Sequence, residues 1–456
     1  METISKKIEA YKESLLEDLK VLVEIDSSRD ETTKSEGAPF GQGVKRSFEA
    51  FETIAKRLGF IVKNVDGYAI YATNQESDEY VASIGHLDVV EAGDLSQWKT
   101  PPFFLVQKED MLFGRGVNDD KGPLLASLYA MRIACDLGIE MKYPMRVIAG
   151  GAEETTWECM EHYFKKHSQP VMGFSPDGNF PIVNGEKGIL QMQAHFAGKE
   201  NGIEWIHCSH PINYVSEEVQ IKVDSTWIEN LSYLEKVDEI REEKDGFILV
   251  YKGTKSLSRN PQRAKNPLWA ISHDFLNIPT CVHGFNNVLK FLDEYFVDDF
   301  YGKKSGMYHE DDQMGMTSIC PMTLEQDQEG YTLTIDYRYI KGVDPQQAFL
   351  ELQKKAEASH GTLTVMKEKR MLFVDPNSDL IHALQNAYET VMHEKVEVFT
   401  KGGASYARVM DHGVAFGATF ENEDPKPHMP NEQMPLSSLL KACEIYVHAF
   451  VNMAKK

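Results

Sequence analysis

The sequence predicts an α/β fold, a mostly parallel sheet covered by helices with an α+β domain inserted into it. Three observations carry this. Up to about residue 185, short β-rich runs that stop at glycine alternate with helical stretches, the order that builds parallel sheets. In the middle of the chain the pattern changes to strict alternation of apolar and polar residues, typical of antiparallel strands with one wet face. From about 377 a helix, a strand, a glycine-rich turn and a final helix follow. The expected division is therefore 1–185 and 377–456 for the main domain, and 186–376 for the insertion.

Taken in order, Ile4, Ile8, Tyr11, Leu15, Leu19 and Leu22 recur at three- and four-residue steps and predict an amphipathic surface helix. Tyr80-Val81-Ala82-Ser83-Ile84 reads as a strand ending at Gly85. A helix follows through Leu124, Leu125, Leu128, Met131 and Ile133, with Pro123 suited to its first turn. Met145-Arg146-Val147-Ile148-Ala149 is the next strand, closed by Gly150-Gly151. Within the insertion, Val219, Ile221 and Val223 alternate with Gln220 and Lys222, and Tyr331 to Tyr339 alternates with Thr332, Thr334, Asp336 and Arg338. Asp344, followed by Pro345, marks a helix start.

The chain has 456 residues, and 70 acidic against 48 basic side chains leave a net charge of −22. That balance argues against a sequence-independent grip on nucleic acid and against an anionic membrane surface, both of which need basic patches. It leaves open whether the acids are solvated surface or are drawn together for metal or proton chemistry. No run approaches the roughly 18 apolar residues of a membrane span. The first residues carry charge where a secretory signal would be apolar. The six cysteines (Cys135, Cys159, Cys208, Cys281, Cys320 and Cys443) contain no Cys-x-x-Cys pair and read as buried thiols. A cytoplasmic protein is expected.

Five short segments hold residues suited to metal chemistry. In Gly85-His86-Leu87-Asp88, continued extended geometry would turn Asp88 toward His86 and let it fix the ring tautomer; alone, the pair also fits a structural histidine. The adjacent acids of Asn118-Asp119-Asp120-Lys121-Gly122-Pro123 could equally be helix caps. Glu153-Glu154 closes a buried strand, where open α/β sheets place ligands and where two acids repel unless a cation relieves them. Asp177 lies in Ser175-Pro176-Asp177-Gly178, which alone reads as a turn, and His428 in a loop before Pro430-Asn431-Glu432. Together, imidazoles and carboxylates in this mixture suit zinc, or manganese as oxygen donors increase. A pair of ions with a spare carboxylate suits hydrolysis.

In order and context these segments resemble peptidase family M20, most closely its bacterial dipeptidases of the PepV, carnosinase-like branch. The resemblance spans essentially the whole chain and rests on Gly-His-Leu-Asp-Val-Val, Asp-Asp-Lys-Gly-Pro and Glu-Glu in combination. It implies a zinc-peptidase-type catalytic domain with the insertion acting as a lid. It implies two divalent ions, zinc or alternatively manganese: His86, Asp119 and Asp177 would hold one, and Asp119, Glu154 and His428 the other, with Asp119 as bridge. Glu153 would be the general base on a metal-bridging water, and Asp88 the partner of His86. In the insertion, Asn213 would help to hold the scissile carbonyl oxygen and Arg338 would meet the substrate carboxylate. Gly403 and Ser405, in Lys401-Gly402-Gly403-Ala404-Ser405-Tyr406, would line the substrate site.

The sequence departs from the family in three places. Leu257 stands in the column of a lid histidine that polarises the substrate carbonyl, Ser216 where a proline usually follows the Asn213 motif, and Ser405 where threonine is common. His207 and His210 are the nearby candidates to replace that histidine. The expected activity is hydrolysis of dipeptides and small peptides by a monomer. An N-acyl amino acid deacylase, or a degenerate peptide-binding member without catalysis, is the alternative.

Overall fold

The computed structural model describes residues 3–209, 212–279 and 284–455; His210 and Cys281 lie outside them. The chain forms two compact units, one of residues 1–185, 372–399 and 404–456, the other of residues 186–371 and 400–403. The inserted unit thus ends at 371, not 376, and takes in a short second segment. Gly403 belongs to it, whereas Ser405 belongs to the first unit.

The first unit is built on a sheet with strand order Ile61–Val65, Ala69–Thr73, Met145–Gly150, Val81–His86, Met172–Ser175, Gly413–Ala415, Val183–Glu186, Leu372–Phe373. Its four middle strands are parallel, and the strands flanking them pair antiparallel. Every residue of Val81–His86 and of Met145–Gly150 is buried, which is why both are mostly apolar without an apolar–polar alternation. Helix Lys121–Asp136 packs on the closing helix Leu436–Ala454 and on the first helix, Ile4–Val23. The first helix buries Ile8, Leu15, Leu19 and Leu22, the stripe expected of it. Among the described residues, no helix is long and apolar enough to cross a membrane.

The inserted unit contains two antiparallel four-stranded sheets. One runs Ser318–Gln326, Gly330–Tyr339, Gly188–Ala197, Gly361–Lys369, and the other Ile203–Cys208, Glu218–Asp224, Gly246–Lys252, Glu239–Glu243. Helices Pro267–Leu276 and Gly284–Tyr295 share their apolar core. Asp344 caps helix Pro345–Ala358, accepting from the backbone N–H of Gln346 at 2.9 Å. One expectation fails here. The polar face of Gly330–Tyr339 is not wet: Thr334, Asp336 and Arg338 are all buried. Alternation reports which residues share a face, and here the polar face is satisfied internally. Asp336 accepts from Arg338 Nε at 2.8 Å, Ser258 Oγ at 2.6 Å and Gln191 Nε2 at 3.3 Å. The described cysteines are all free thiols; Cys159, Cys320 and Cys443 are buried, whereas Cys135 and Cys208 are only half-buried.

Candidate metal centre

Three neighbouring parallel strands deliver the site from their C-terminal ends, where an open α/β sheet leaves its crevice. Val81–His86 ends on His86, Met145–Gly150 leads through Gly151-Ala152 to Glu153 and Glu154, and Met172–Ser175 leads to Asp177. Asp119 and Asp120 enter from the turn before helix Lys121–Asp136, and their shared peptide bond is cis. Small residues keep the strand ends bare. A Cβ on Gly85 would lie 2.0 Å from Asp120 Oδ2, and one on Gly150 would lie 2.5 Å from the Tyr406 hydroxyl.

Two sets of ligand atoms each lie within 4.8 Å of one another, one from His86, Asp119 and Glu154, the other from His86, Glu153 and Asp177. His86 Nε2 is 3.1 Å from Asp119 Oδ1. His428 Nε2, on a backbone with φ of 60°, sits 3.0 Å from Asp119 Oδ2 and 2.9 Å from Glu154 Oε2. The structure therefore gathers His86, Asp119, Glu153, Glu154, Asp177 and His428, and it brings Glu153 into the same set as Asp177.

Asp88 orders this cluster differently from the expectation. The strand ends at His86, so extended geometry does not carry the Asp88 carboxylate onto the ring: its Oδ1 is 3.6 Å from Nδ1. Nδ1 instead donates to the Asp88 backbone carbonyl at 2.9 Å. A carbonyl can only accept, so Nδ1 carries the proton and Nε2 is the atom turned to the ligands. The Asp88 carboxylate accepts from the backbone N–H of Glu153 and of Glu154, both at 3.1 Å. One residue thereby positions the histidine and the acidic pair.

Several residues support the cluster; Glu432 was expected near it from its segment, whereas the roles of Arg115 and Tyr406 were not predicted. Glu432, fully buried, accepts through Oε1 from the backbone N–H of Gly116 (3.0 Å), Asn118 (3.1 Å) and Asp119 (3.1 Å). Its Oε2 takes Arg115 Nη1 at 2.8 Å, and Arg115 lies over the Trp98 ring. Tyr406 stands edge-on to His86 and to Trp157, and its hydroxyl is 2.8 Å from Cys159 Sγ. The signal available for Glu432 and Arg115 was a charged residue inside a glycine- or proline-rich loop; buried Tyr406 offered none. Ser405 Oγ accepts from the Ala407 backbone N–H at 3.3 Å, capping the 3₁₀ turn that carries Tyr406.

The charges fit divalent cations. Burial raises Glu154 to about 7, and the Asp119 carboxylate beside it adds to the rise. Burial also raises Asp120 well above the usual carboxylate range, although His86 opposes it. Burial opposes ionisation of Asp119 too, but the hydrogen-bonded His428 and His86 hold it far below that range. The contacts to Asp119 and then Glu154 push His428 up to about 11. Asp120 Oδ1 is buried with no hydrogen-bond partner among the described residues. Crowded carboxylates, two imidazoles and an orphaned oxygen make a donor set for zinc- or manganese-like ions.

Residues 82–452 match the model of peptidase family M20/M25/M40. The chain belongs to that family. "Putative dipeptidase SH1171" of Staphylococcus haemolyticus is 30% identical over 468 residues, covering 98% of each chain. "Putative dipeptidase YtjP" of Bacillus subtilis is 29% identical, covering 97% of this chain and 98% of its own. Two solved structures share the fold: human carnosine dipeptidase 1 (TM-score 0.59, 16% identity, 99% of each chain) and the dipeptidase Dug1p of Saccharomyces cerevisiae (TM-score 0.60, 15% identity, 98% of each chain). This M20 chain is therefore a peptidase of the fold expected for it.

Proposed function

We propose that the chain is a dipeptidase that hydrolyses the peptide bond of small peptides with two divalent metal ions, zinc or manganese. The observation that carries this is the convergence of His86, Asp119, Glu153, Glu154, Asp177 and His428 at the C-terminal ends of parallel strands. His86, Asp119 and Asp177 would hold one ion and Asp119, Glu154 and His428 the other. When bound, the ions supply polarisation of the scissile carbonyl and a lowered water pKa.

The chain's own residues do the rest. Glu153, its backbone N–H fixed by Asp88, takes the proton of the attacking water and passes it to the leaving amine. Asn213 receives Gln191 Nε2 on its Oδ1 at 2.7 Å, an orientation that reserves the amide N–H₂ for the substrate carbonyl oxygen. Arg338 is held by Asp336 and by the Gly402 carbonyl (Nη1, 3.1 Å), ready for the substrate carboxylate beside Gly403. Ser405 contributes by shaping the turn that bears Tyr406. Leu257 pairs with Tyr214 on a short antiparallel ribbon and offers no donor from its side chain. His207 lies on an exposed position of strand Ile203–Cys208. The enzyme is read as a cytoplasmic monomer.

The test is to strip the protein with a chelator, restore Zn²⁺ or Mn²⁺, and assay a panel of free dipeptides and N-acylated amino acids. Metal-dependent release of free amino acids from dipeptides is expected. No metal-dependent hydrolysis of any dipeptide would overturn the reading, and turnover confined to the acylated compounds would replace it with a deacylase.

A further inference from the structure

On the inserted unit, two arginines flank one glycine pair. Arg338 donates Nη1 to the Gly402 carbonyl and Nε to Asp336. Arg259 lies over the same backbone: a Cβ on Gly402 would come within 3.3 Å of its Cδ, and one on Gly403 within 3.0 Å of its Nη1. The bare glycine backbone lets Arg259 lie close against it without shifting.

Among the described residues, cations outnumber carboxylates around this pair although the chain as a whole carries −22. Lys187 and Lys401 add two further cations: desolvation and then Arg338 hold Lys187 below the ordinary lysine value, and Lys401 reaches Glu186 at 3.6 Å. The carboxylates beside them are Asp336, already shared among Arg338, Ser258 and Gln191, and the fully buried Glu186. Arg338 engages Asp336 and the Gly402 carbonyl through Nε and Nη1, while Asp336 and Glu186 reach Arg259 only as electrostatic neighbours that partly offset the repulsion. Desolvation and then Arg338 itself hold Arg259 below the usual arginine value. Arginine stays protonated, so this repulsion is relieved by an anion and not by loss of a proton.

One α-carboxylate answers one guanidinium fork. We propose that Arg259 is a specificity-determining residue that, beside Arg338, forms a two-arginine site selecting peptides whose C-terminal residue has an acidic side chain. Arg338 takes the α-carboxylate and Arg259 the side-chain carboxylate of aspartate or glutamate. The assignment rests on the reading of Arg338 given above.

The comparison is Ala-Asp and Ala-Glu against their uncharged isosteres Ala-Asn and Ala-Gln, with Ala-Ala as reference. A charge-assisted, bidentate contact gives the acidic peptides about tenfold higher kcat/KM than the amides. Arg259→Gln lowers kcat/KM for Ala-Asp about tenfold more than for Ala-Ala, and Arg259→Lys restores part of the difference because it keeps the charge and loses the fork. Binding of the same peptides to metal-free protein, followed by titration calorimetry, tests the site without turnover. The same order of affinities is expected, and thermal unfolding shows whether each variant is folded. Equal treatment of acid and amide peptides by the wild type would overturn the proposal. So would an Arg259→Gln variant that weakens all peptides alike, since both arginines would then clamp the α-carboxylate. Absence of hydrolysis with the binding preference intact would instead count against the dipeptidase reading alone.

Discussion

Removing the Glu432 carboxylate leaves the Arg115 guanidinium, 2% exposed, without its counter-ion and three backbone N–H groups without their acceptor. Glu432→Ala is therefore expected to cost about 3–5 kcal/mol of unfolding free energy, measured by denaturant titration. A loss under about 1 kcal/mol would mean that water replaces the carboxylate. Glu153→Gln tests chemistry in place of stability. It keeps the shape but removes the proposed base, and kcat should fall by about 10²–10⁴ while the unfolding midpoint stays put. The histidines, acids and glycines of the centre were legible because each sits in a short segment whose residue types suit one chemistry. The role of Asp88 was legible only in part. Its backbone carbonyl, not its carboxylate, meets the His86 ring, and no sequence pattern says which atom of a residue will be used.

The strand Val81–His86 and the turn at Asp119–Asp120 fit together only because Gly85 has no side chain. Gly85→Ala places a methyl 2.0 Å from Asp120 Oδ2, and the shift this forces should cost about 1–3 kcal/mol and weaken metal binding. Titration calorimetry of the variant with Zn²⁺ checks the second point; unchanged affinity would show that the turn gives way without moving Asp119. On helix Pro345–Ala358, Asp344→Ala removes the cap at Gln346 and should cost about 1 kcal/mol without touching activity. That helix start was readable from Asp-Pro alone. The wet face expected for Gly330–Tyr339 was not, because its partners Ser258 and Gln191 come from segments 78 and 145 residues away from Asp336. Polar alternation looks the same whether water or protein satisfies it.

Across the whole molecule, the division into a main unit and an insertion was visible as a change of hydrophobic period. The assignment of residues 400–403 to the inserted unit was not, since it depends on contacts and not on pattern. Metal removal should register at this scale too. Ions that bind only the folded chain stabilise it by about 2.7 kcal/mol at a hundredfold excess over Kd. Thermal unfolding with and without Zn²⁺ or Mn²⁺ measures this, and a chelator should reverse the gain. No shift in midpoint with either ion would argue that the carboxylate cluster holds no metal.

His428 meets Asp119, and Glu432 binds the Asp119 backbone, across 313 residues of chain in the latter case. During synthesis the first hundred and eighty residues can leave the ribosome with their acids already close together, but with neither partner available. The segment that carries them, which also leads into helix Leu436–Ala454, arrives much later. A contact of such sequence separation forms late and slowly. The nascent chain therefore passes through a stage in which it carries repelling carboxylates and an incomplete ion cage. Chains truncated before residue 428 should stay locked out of the mature metal-loaded state, however long they are incubated with the ion.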